Sequence, residues 1–259
     1  MGWVDMRVTE LPNRSRSMFR LIGVISAFVL AGSMACGIGF VSAVMGVGSP
    51  TAAAQPCPDV EVIFARGTDE PPGVGGVGQA FIDELRPRIG DRSLSVYAVN
   101  YPASSNFGAG IEFARTVVDG IRDAADRVQT TAANCPDTRI VLGGYSQGAA
   151  LAGYVTAAAV PEEVPVEFRS YVPEPMPREV ADHVAAVVLF AQPSSALLQR
   201  YGAPPIAIGS VYQDKTLELC TEGDTICNGV ADVMPTFAHV TYTWNGMPAE
   251  GAAFAADRL

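Results

Sequence analysis

From Val60 onward, short apolar runs alternate with longer segments whose apolar positions recur at helical spacing. Residues 60–65, 94–99, 139–143 and 184–190 read as strands, and residues 205–209 read as a last one. Between them, residues 78–89, 107–134 and the alanine-rich 147–159 read as helices. Strands apolar on both sides and separated by helices imply an α/β class, with a mainly parallel central sheet covered by helices on both faces. No repeat of fixed period and no linker interrupts this part, so it reads as a single domain. Residues 161–182 and 212–247 are punctuated by Pro or Gly and read as irregular loops, where such folds keep their chemistry.

The first 54 residues follow a different pattern. Arg7, Arg14, Arg16 and Arg20 precede an apolar run, residues 21–47, in which Cys36 is the one ionisable side chain. Ala52, Ala53 and Ala54 close the segment. A basic start, an apolar middle and a small-residue end are the layout of a secretory signal, with cleavage placed after Ala54. The run is also long enough to span a bilayer core of about 30 Å, so an uncleaved anchor is the competing reading. Lipid attachment at Cys36 is a third, although Ser33 stands where a lipobox has an aliphatic residue.

Composition sharpens the picture. The chain of 259 residues is 49% hydrophobic and 17% charged, which excludes disorder. Its formal charge is −10, and the four arginines and two carboxylates of the first segment leave −12 for the rest. Such a surface has no basic footprint for a phosphate backbone, so nucleic acid is excluded as a partner. Apart from Cys36 the cysteines are Cys57, Cys135, Cys220 and Cys227, an even set suited to an oxidising compartment. Three pairings are open, and Cys220 and Cys227 are close enough to close a small loop. Neither their spacing nor the two histidines make a zinc site.

Gly144-Tyr145-Ser146-Gln147-Gly148 is the sharpest signal, set between a buried strand and a helix. G-x-S-x-G in that context is a nucleophile elbow, in which a tight turn exposes the serine hydroxyl beside a helix N-terminus that stabilises a developing oxyanion. The plainer alternative is a serine capping a helix. A serine needs a base, and His183 and His239 are the choices. His183 leads into the strand at Val184, the entry end, whereas catalytic groups gather at the carboxyl ends of parallel strands. His239 follows the last strand and fits the order serine, acid, histidine. Among the intervening carboxylates Asp224 stands out, because Cys220-Thr-Glu-Gly-Asp224-Thr-Ile-Cys227 encloses it between two cysteines. Asp214, Glu218, Glu222 and Asp232 read as solvated.

Taken together, these features resemble the cutinase family: the Cys57 to Cys135 separation, Ala65-Arg-Gly-Thr68, the elbow, the Cys-x-x-Gly-Asp-x-Ile-Cys loop and His239. Val99-Asn-Tyr-Pro-Ala103 is similar to the cutinase-like proteins of mycobacteria, and the resemblance spans residues 57–259. It implies an α/β-hydrolase domain over residues 55–259, with Ser146 as nucleophile, His239 as base and Asp224 as orienting acid. It further implies an oxyanion hole from the backbone of Gln147 and Thr68, the Thr68 hydroxyl as an added donor, and disulfides Cys57–Cys135 and Cys220–Cys227. Two departures are visible. Thr68 stands where fungal cutinases commonly have serine, and the N-terminal apolar segment exceeds the leaders of many relatives.

Gly73-Val-Gly75-Gly-Val-Gly78 also satisfies G-x-G-x-x-G. Thr68-Asp-Glu-Pro-Pro separates it from the strand end, and the next strand lacks the acidic residue that holds a ribose, so it reads as a flexible loop over the acyl pocket. The expected function is thus an exported serine esterase that hydrolyses carboxylic esters through an acyl-enzyme, needing no cofactor and no metal. An ester or lipid is its expected substrate, the expected state is a monomer, and association with the membrane or cell envelope accompanies the anchored alternative. A phospholipase or thioesterase acting on envelope lipids is the alternative activity. A non-catalytic envelope or host-interaction protein is the alternative of another class.

Overall fold

The computed structural model describes residues 56–229 and 234–259. The signal, anchor and lipid-attachment readings of residues 1–54, and the reading of Asp232, lie outside the described residues. Five parallel strands form one sheet in the order β2-β1-β3-β4-β5: β1 Val60–Ala65, β2 Leu94–Ala98, β3 Arg139–Tyr145, β4 Val184–Phe190 and β5 Thr216–Leu219. β1, β3 and β4 are buried almost throughout, which is why β4 and most of β3 are continuous apolar runs rather than alternating ones, β1 being interrupted only by Glu61.

Among the described residues seven α-helices accompany the sheet: α1 Gly75–Leu85, α2 Ile111–Asn134, α3 Gln147–Val155, α4 Val166–Arg169, α5 Ser195–Arg200, α6 Ser210–Gln213 and α7 Met247–Ala256. Burial divides into two clusters, one on each face of the sheet. On one face Ile121, Ala125 and Val128 of α2 and Leu151 and Val155 of α3 pack against Ile63, Leu142 and Leu189. On the other, Phe81 and Leu85 of α1 and Ala252 and Ala255 of α7 pack against Phe64, Val188 and Phe190. α2 is also locked to the sheet by charge: Arg127 Nε donates to the buried Glu61 of β1 at 3.1 Å, and the Thr131 hydroxyl donates to the same carboxylate. A buried carboxylate needs such partners.

Four expectations are corrected. Residues 205–209 form no strand; Pro204 and Pro205 supply no N–H for a ladder, Ile208 packs on the core, and the Gly209 amide donates to Thr156 O at 3.0 Å. The fifth strand is Thr216–Leu219, inside the stretch read as irregular, where Lys215 and the exposed Glu218 disguise an edge strand with one wet side. The long helix begins at Ile111 rather than Phe107, because a 3-10 turn, Phe107–Ala109, ends at Gly110 with φ of 58°. Gly75–Gly78 are the first turn of α1 and not a flexible loop. The carboxylate of Glu70 serves that helix start, accepting from the Gly76 amide at 2.7 Å.

Candidate active site

Ser146 ends β3 and caps α3 with φ of 55° and ψ of −117°, a strained conformation for a residue with a Cβ. Its amide is held by Phe190 O at 2.9 Å. The flanking glycines are required by proximity. A Cβ on Gly144 would lie 2.1 Å from Gly148 O, and one on Gly148 would lie 2.1 Å from Ala65 O. The turn therefore closes only when both side chains are missing, and it brings the start of α3 against the end of β1, next to Thr68.

The Ser146 hydroxyl donates to His239 Nε2 at 3.0 Å when Nδ1 carries the ring proton, and Nδ1 then donates to Asp224 Oδ2 at 2.9 Å. Asp224 Oδ1 is 3.1 Å from the same nitrogen. The three side chains come from three separate segments: the elbow, the Cys220–Cys227 loop and the 3-10 turn Phe237–Val240. All three are buried, Asp224 completely. His183 stays apart at the entry to β4, with Nδ1 3.0 Å from Pro136 O. Asp214, Glu218 and Glu222 are exposed.

Asp224 is aimed by its own loop. The Ile226 amide donates to Oδ1 at 2.9 Å, the Tyr242 hydroxyl donates to Oδ2 at 2.9 Å, and the Cys220–Cys227 disulfide closes the turn that carries it. Burial works to raise its pKa, but the His239 hydrogen bond, the Ile226 amide, the His239 charge and the Tyr242 hydroxyl outweigh it and hold the carboxyl below its ordinary value. Asp224 is thus an ionised carboxylate hydrogen-bonded to His239. Tyr145 packs on the other side of the histidine: its ring stacks on His239 with centroids 5.2 Å apart, and its hydroxyl donates to His239 O. Burial raises the pKa of both tyrosines, which keeps them neutral donors.

Thr68 and Gln147 line the same cavity as Ser146 and His239. The Gln147 amide belongs to the first turn of α3, where no earlier carbonyl is in reach. Thr68 sits on a braced turn: Glu70 Oε2 accepts from the Gly67 amide at 2.6 Å, and the Asp69 amide donates to Ala103 O at 2.8 Å. Behind it, buried Arg66 donates to Glu70 O at 2.8 Å and to Tyr101 O at 2.5 Å. Gln147 Nε2 donates to Ser104 O at 3.0 Å. Tyr242 and Glu70 carry no sequence signal that marks them as part of the site, and Tyr145 carries only its position inside the elbow. Both disulfides form, Cys57–Cys135 and Cys220–Cys227.

The cavity that opens at Ser146 has a volume of about 1250 Å³. Its inner walls are mostly apolar, with Ile111, Val117, Tyr154, Phe168 and Leu197 among them. The arrangement can deprotonate a serine, orient the imidazolium that results, and offer backbone N–H groups to an oxyanion beside a large apolar pocket.

Comparison with known proteins agrees with this chemistry. The sequence profile described as Cutinase matches residues 56–259. The chain is 59% identical to Culp7 of Mycobacterium tuberculosis over 172 residues, covering 66% of this chain and 88% of the relative. It is 44% identical to the carboxylesterase Culp1 of Mycobacterium tuberculosis over 247 residues, covering 94% of this chain and 97% of the relative. Among solved structures it is similar to a Trichoderma reesei cutinase in complex with a phosphonate inhibitor, at 33% identity and a TM-score of 0.56, covering 78% of this chain and 77% of that one.

Proposed function

The chain belongs to the cutinase family, and on that premise we propose that Ser146, His239 and Asp224 carry its reaction. The protein is a serine carboxylic-ester hydrolase. One observation carries the assignment of roles: Ser146 Oγ lies 3.0 Å from His239 Nε2, whose other nitrogen lies 2.9 Å from a buried carboxylate. His239 takes the serine proton as Oγ attacks the ester carbonyl, and Asp224 stabilises the imidazolium. The carbonyl oxygen becomes an oxyanion held by the amides of Gln147 and Thr68. His239 then protonates the departing alkoxide, and an acyl-Ser146 intermediate remains. Water, deprotonated by the same histidine, attacks that acyl group and releases the acid.

The substrate is a lipid ester met at an apolar surface. This reading rests on the segment that carries His239, where Phe237 of the same 3-10 turn is 77% exposed, Val240 53% and, shortly after it, Trp244 66%. Large side chains left so exposed beside a catalytic histidine suit insertion into a lipid surface better than contact with a free, soluble ester. Residues 1–54 fit delivery to the cell envelope, either as a signal removed after Ala54 or as an anchor.

Purified protein assayed on p-nitrophenyl butyrate tests the roles. Ser146→Ala and His239→Ala are each expected to lower kcat by at least about a thousandfold with the circular dichroism spectrum unchanged. Activity retained by His239→Ala and lost in His183→Ala contradicts the assignment. For the location, N-terminal sequencing of protein from culture medium and from membranes is expected to find a form starting near Gln55 in the medium, or the full chain in membranes. Protein confined to the cytosol contradicts both.

A further inference from the structure

The apolar stripe of α2 is longer than the core needs. Towards its C-terminal end Ala124, Ala125, Val128 and Ala132 are buried against the sheet. The same stripe continues backwards through Ile121, Val118, Val117, Ala114 and Ile111, and these residues line the cavity at Ser146. Ile111 is 40% exposed and Ala114 is exposed as well, so the first turns of the helix leave an apolar face partly open to the cavity. A helix that follows one hydrophobic stripe normally buries all of it.

The opposite walls are apolar too. Ala150 and Tyr154 of α3 stand on the same side of that helix as its N-cap, Ser146, and both line the cavity. The segment between α3 and β4 adds Val164, Phe168 and Met176, and α5 adds Leu197 and Leu198. The space therefore starts at the nucleophile and runs down the inside of α2 and α3. From Ile111 to Ala125 the lined face of α2 measures about 21 Å at about 1.5 Å per residue. A membrane acyl chain spans half of a hydrocarbon core of about 30 Å, that is about 15 Å. The cavity volume, about 1250 Å³, also exceeds the upper range of ordinary small-molecule pockets, about 1000 Å³.

The direction of the cavity identifies which half of the ester enters it. The departing alkoxide must face His239 Nε2, which protonates it. His239 packs on Tyr145 and Tyr242, which belong to the cluster on the α1 and α7 face of the sheet. The cavity walls formed by α2 and α3 border the cluster on the other face, while on the histidine side the same cavity is lined by Val77, Tyr145, Val240 and Thr243. With the alcohol on the histidine side, the acyl chain is the part that extends along α2.

We propose that the space between α2, α3 and residues 157–176 is an acyl-chain site, and that the enzyme selects long unbranched acyl groups of membrane-lipid length over short ones. The inference rests on the esterase reading for its catalytic end, while the site itself is a property of the walls. Chain length is read by burial: each further methylene leaves water along an apolar face that is otherwise solvated.

Two measurements test it. The first is kcat/KM for p-nitrophenyl esters from acetate to palmitate, all dispersed in the same detergent. The ratio of the palmitate to the acetate value is expected to exceed about tenfold, and Ala114→Trp on α2 and Val164→Trp on the facing segment are each expected to lower that ratio by at least about tenfold. The second is binding of cis-parinaric acid, a fluorescent long-chain fatty acid, to the full-length Ser146→Ala protein. Binding that hexadecanoate displaces and butyrate does not, and that Ala114→Trp weakens, supports the site. Hydrolysis of acetate with a flat chain-length ratio and no parinarate binding overturns the acyl-chain site and leaves the esterase reading standing. Parinarate binding in a wild-type protein inert towards every ester supports the site and removes the esterase reading instead.

Discussion

The hydroxyl of Tyr242 donates to Asp224 Oδ2 at 2.9 Å and accepts from the Thr221 amide at 2.9 Å, which ties the start and the middle of the Cys220–Cys227 loop to one buried ring. Tyr242→Phe keeps the ring and removes both bonds. Asp224 then loses one of the donors that fix its direction, and the Thr221 amide loses its acceptor. Steady-state kinetics on a short ester are expected to show kcat lowered about tenfold with KM within about twofold, because the lost interaction acts through the imidazolium. Melting experiments are expected to show a loss of about 1–3 kcal/mol from the unpaired groups. An unchanged kcat contradicts the role given to this tyrosine.

Acid sensitivity follows from the Asp224 carboxyl. Its pKa in the folded state lies below the ordinary carboxylate value, so the unfolded chain binds the proton more readily. The stability it contributes is complete above the ordinary value of about 3.9 and disappears as pH falls through the lower, folded value. Thermal unfolding from pH 6 downwards is expected to show a midpoint that declines below about pH 4, with a shallower decline in Asp224→Asn. Asp59, lowered first of all by its Ser93 hydrogen bond, acts in the same window and gives both proteins a shared background. Equal slopes in the two proteins contradict the assignment of Asp224.

The parallel strands were legible in the sequence because a strand buried on both sides is an uninterrupted apolar run, as in residues 184–190. The edge strand Thr216–Leu219 was not, since one wet side, Glu218 within it and Lys215 just before it erase that signal. The triad was legible for a chemical reason: a G-x-S-x-G turn, a histidine after the last strand and an acid between two cysteines have few other uses. Tyr242 and Glu70 escaped notice because a tyrosine in a loop and a glutamate before two prolines look like many others. Their roles exist only once Thr221, Gly67 and Gly76 are brought to them by the fold.

The two disulfides are expected to separate stability from activity. Cys57–Cys135 spans 78 residues and Cys220–Cys227 spans 7. In the chain-entropy account these are worth about 4.5 and about 2.5 kcal/mol. Replacing Cys57 and Cys135 by serine is expected to cause the larger fall in denaturant midpoint with kcat at 25 °C little changed. Replacing Cys220 and Cys227 is expected to cause the larger fall in kcat, because the turn aiming Asp224 is freed. The opposite ranking of the two pairs in kcat contradicts this account.

On the proposed mechanism Glu70 is a positioning residue for the oxyanion side. Its carboxylate joins the Gly67 amide to the start of α1 and so braces the turn that carries Thr68. Glu70→Ala is expected to lower kcat about tenfold or more with KM little changed, and Glu70→Gln, which keeps one acceptor, to lose less. A loss confined to thermal stability, with kcat intact, contradicts the positioning role.

On the proposed mechanism Ser146 alone forms the acyl-enzyme, and His239 activates it. Intact mass and peptide mapping after brief treatment with a fluorophosphonate test it most directly. A single adduct on Ser146 is predicted for the wild type, with none in Ser146→Ala and a rate lowered at least about a hundredfold in His239→Ala. An adduct on any other residue, or equal labelling of Ser146 without His239, contradicts the account.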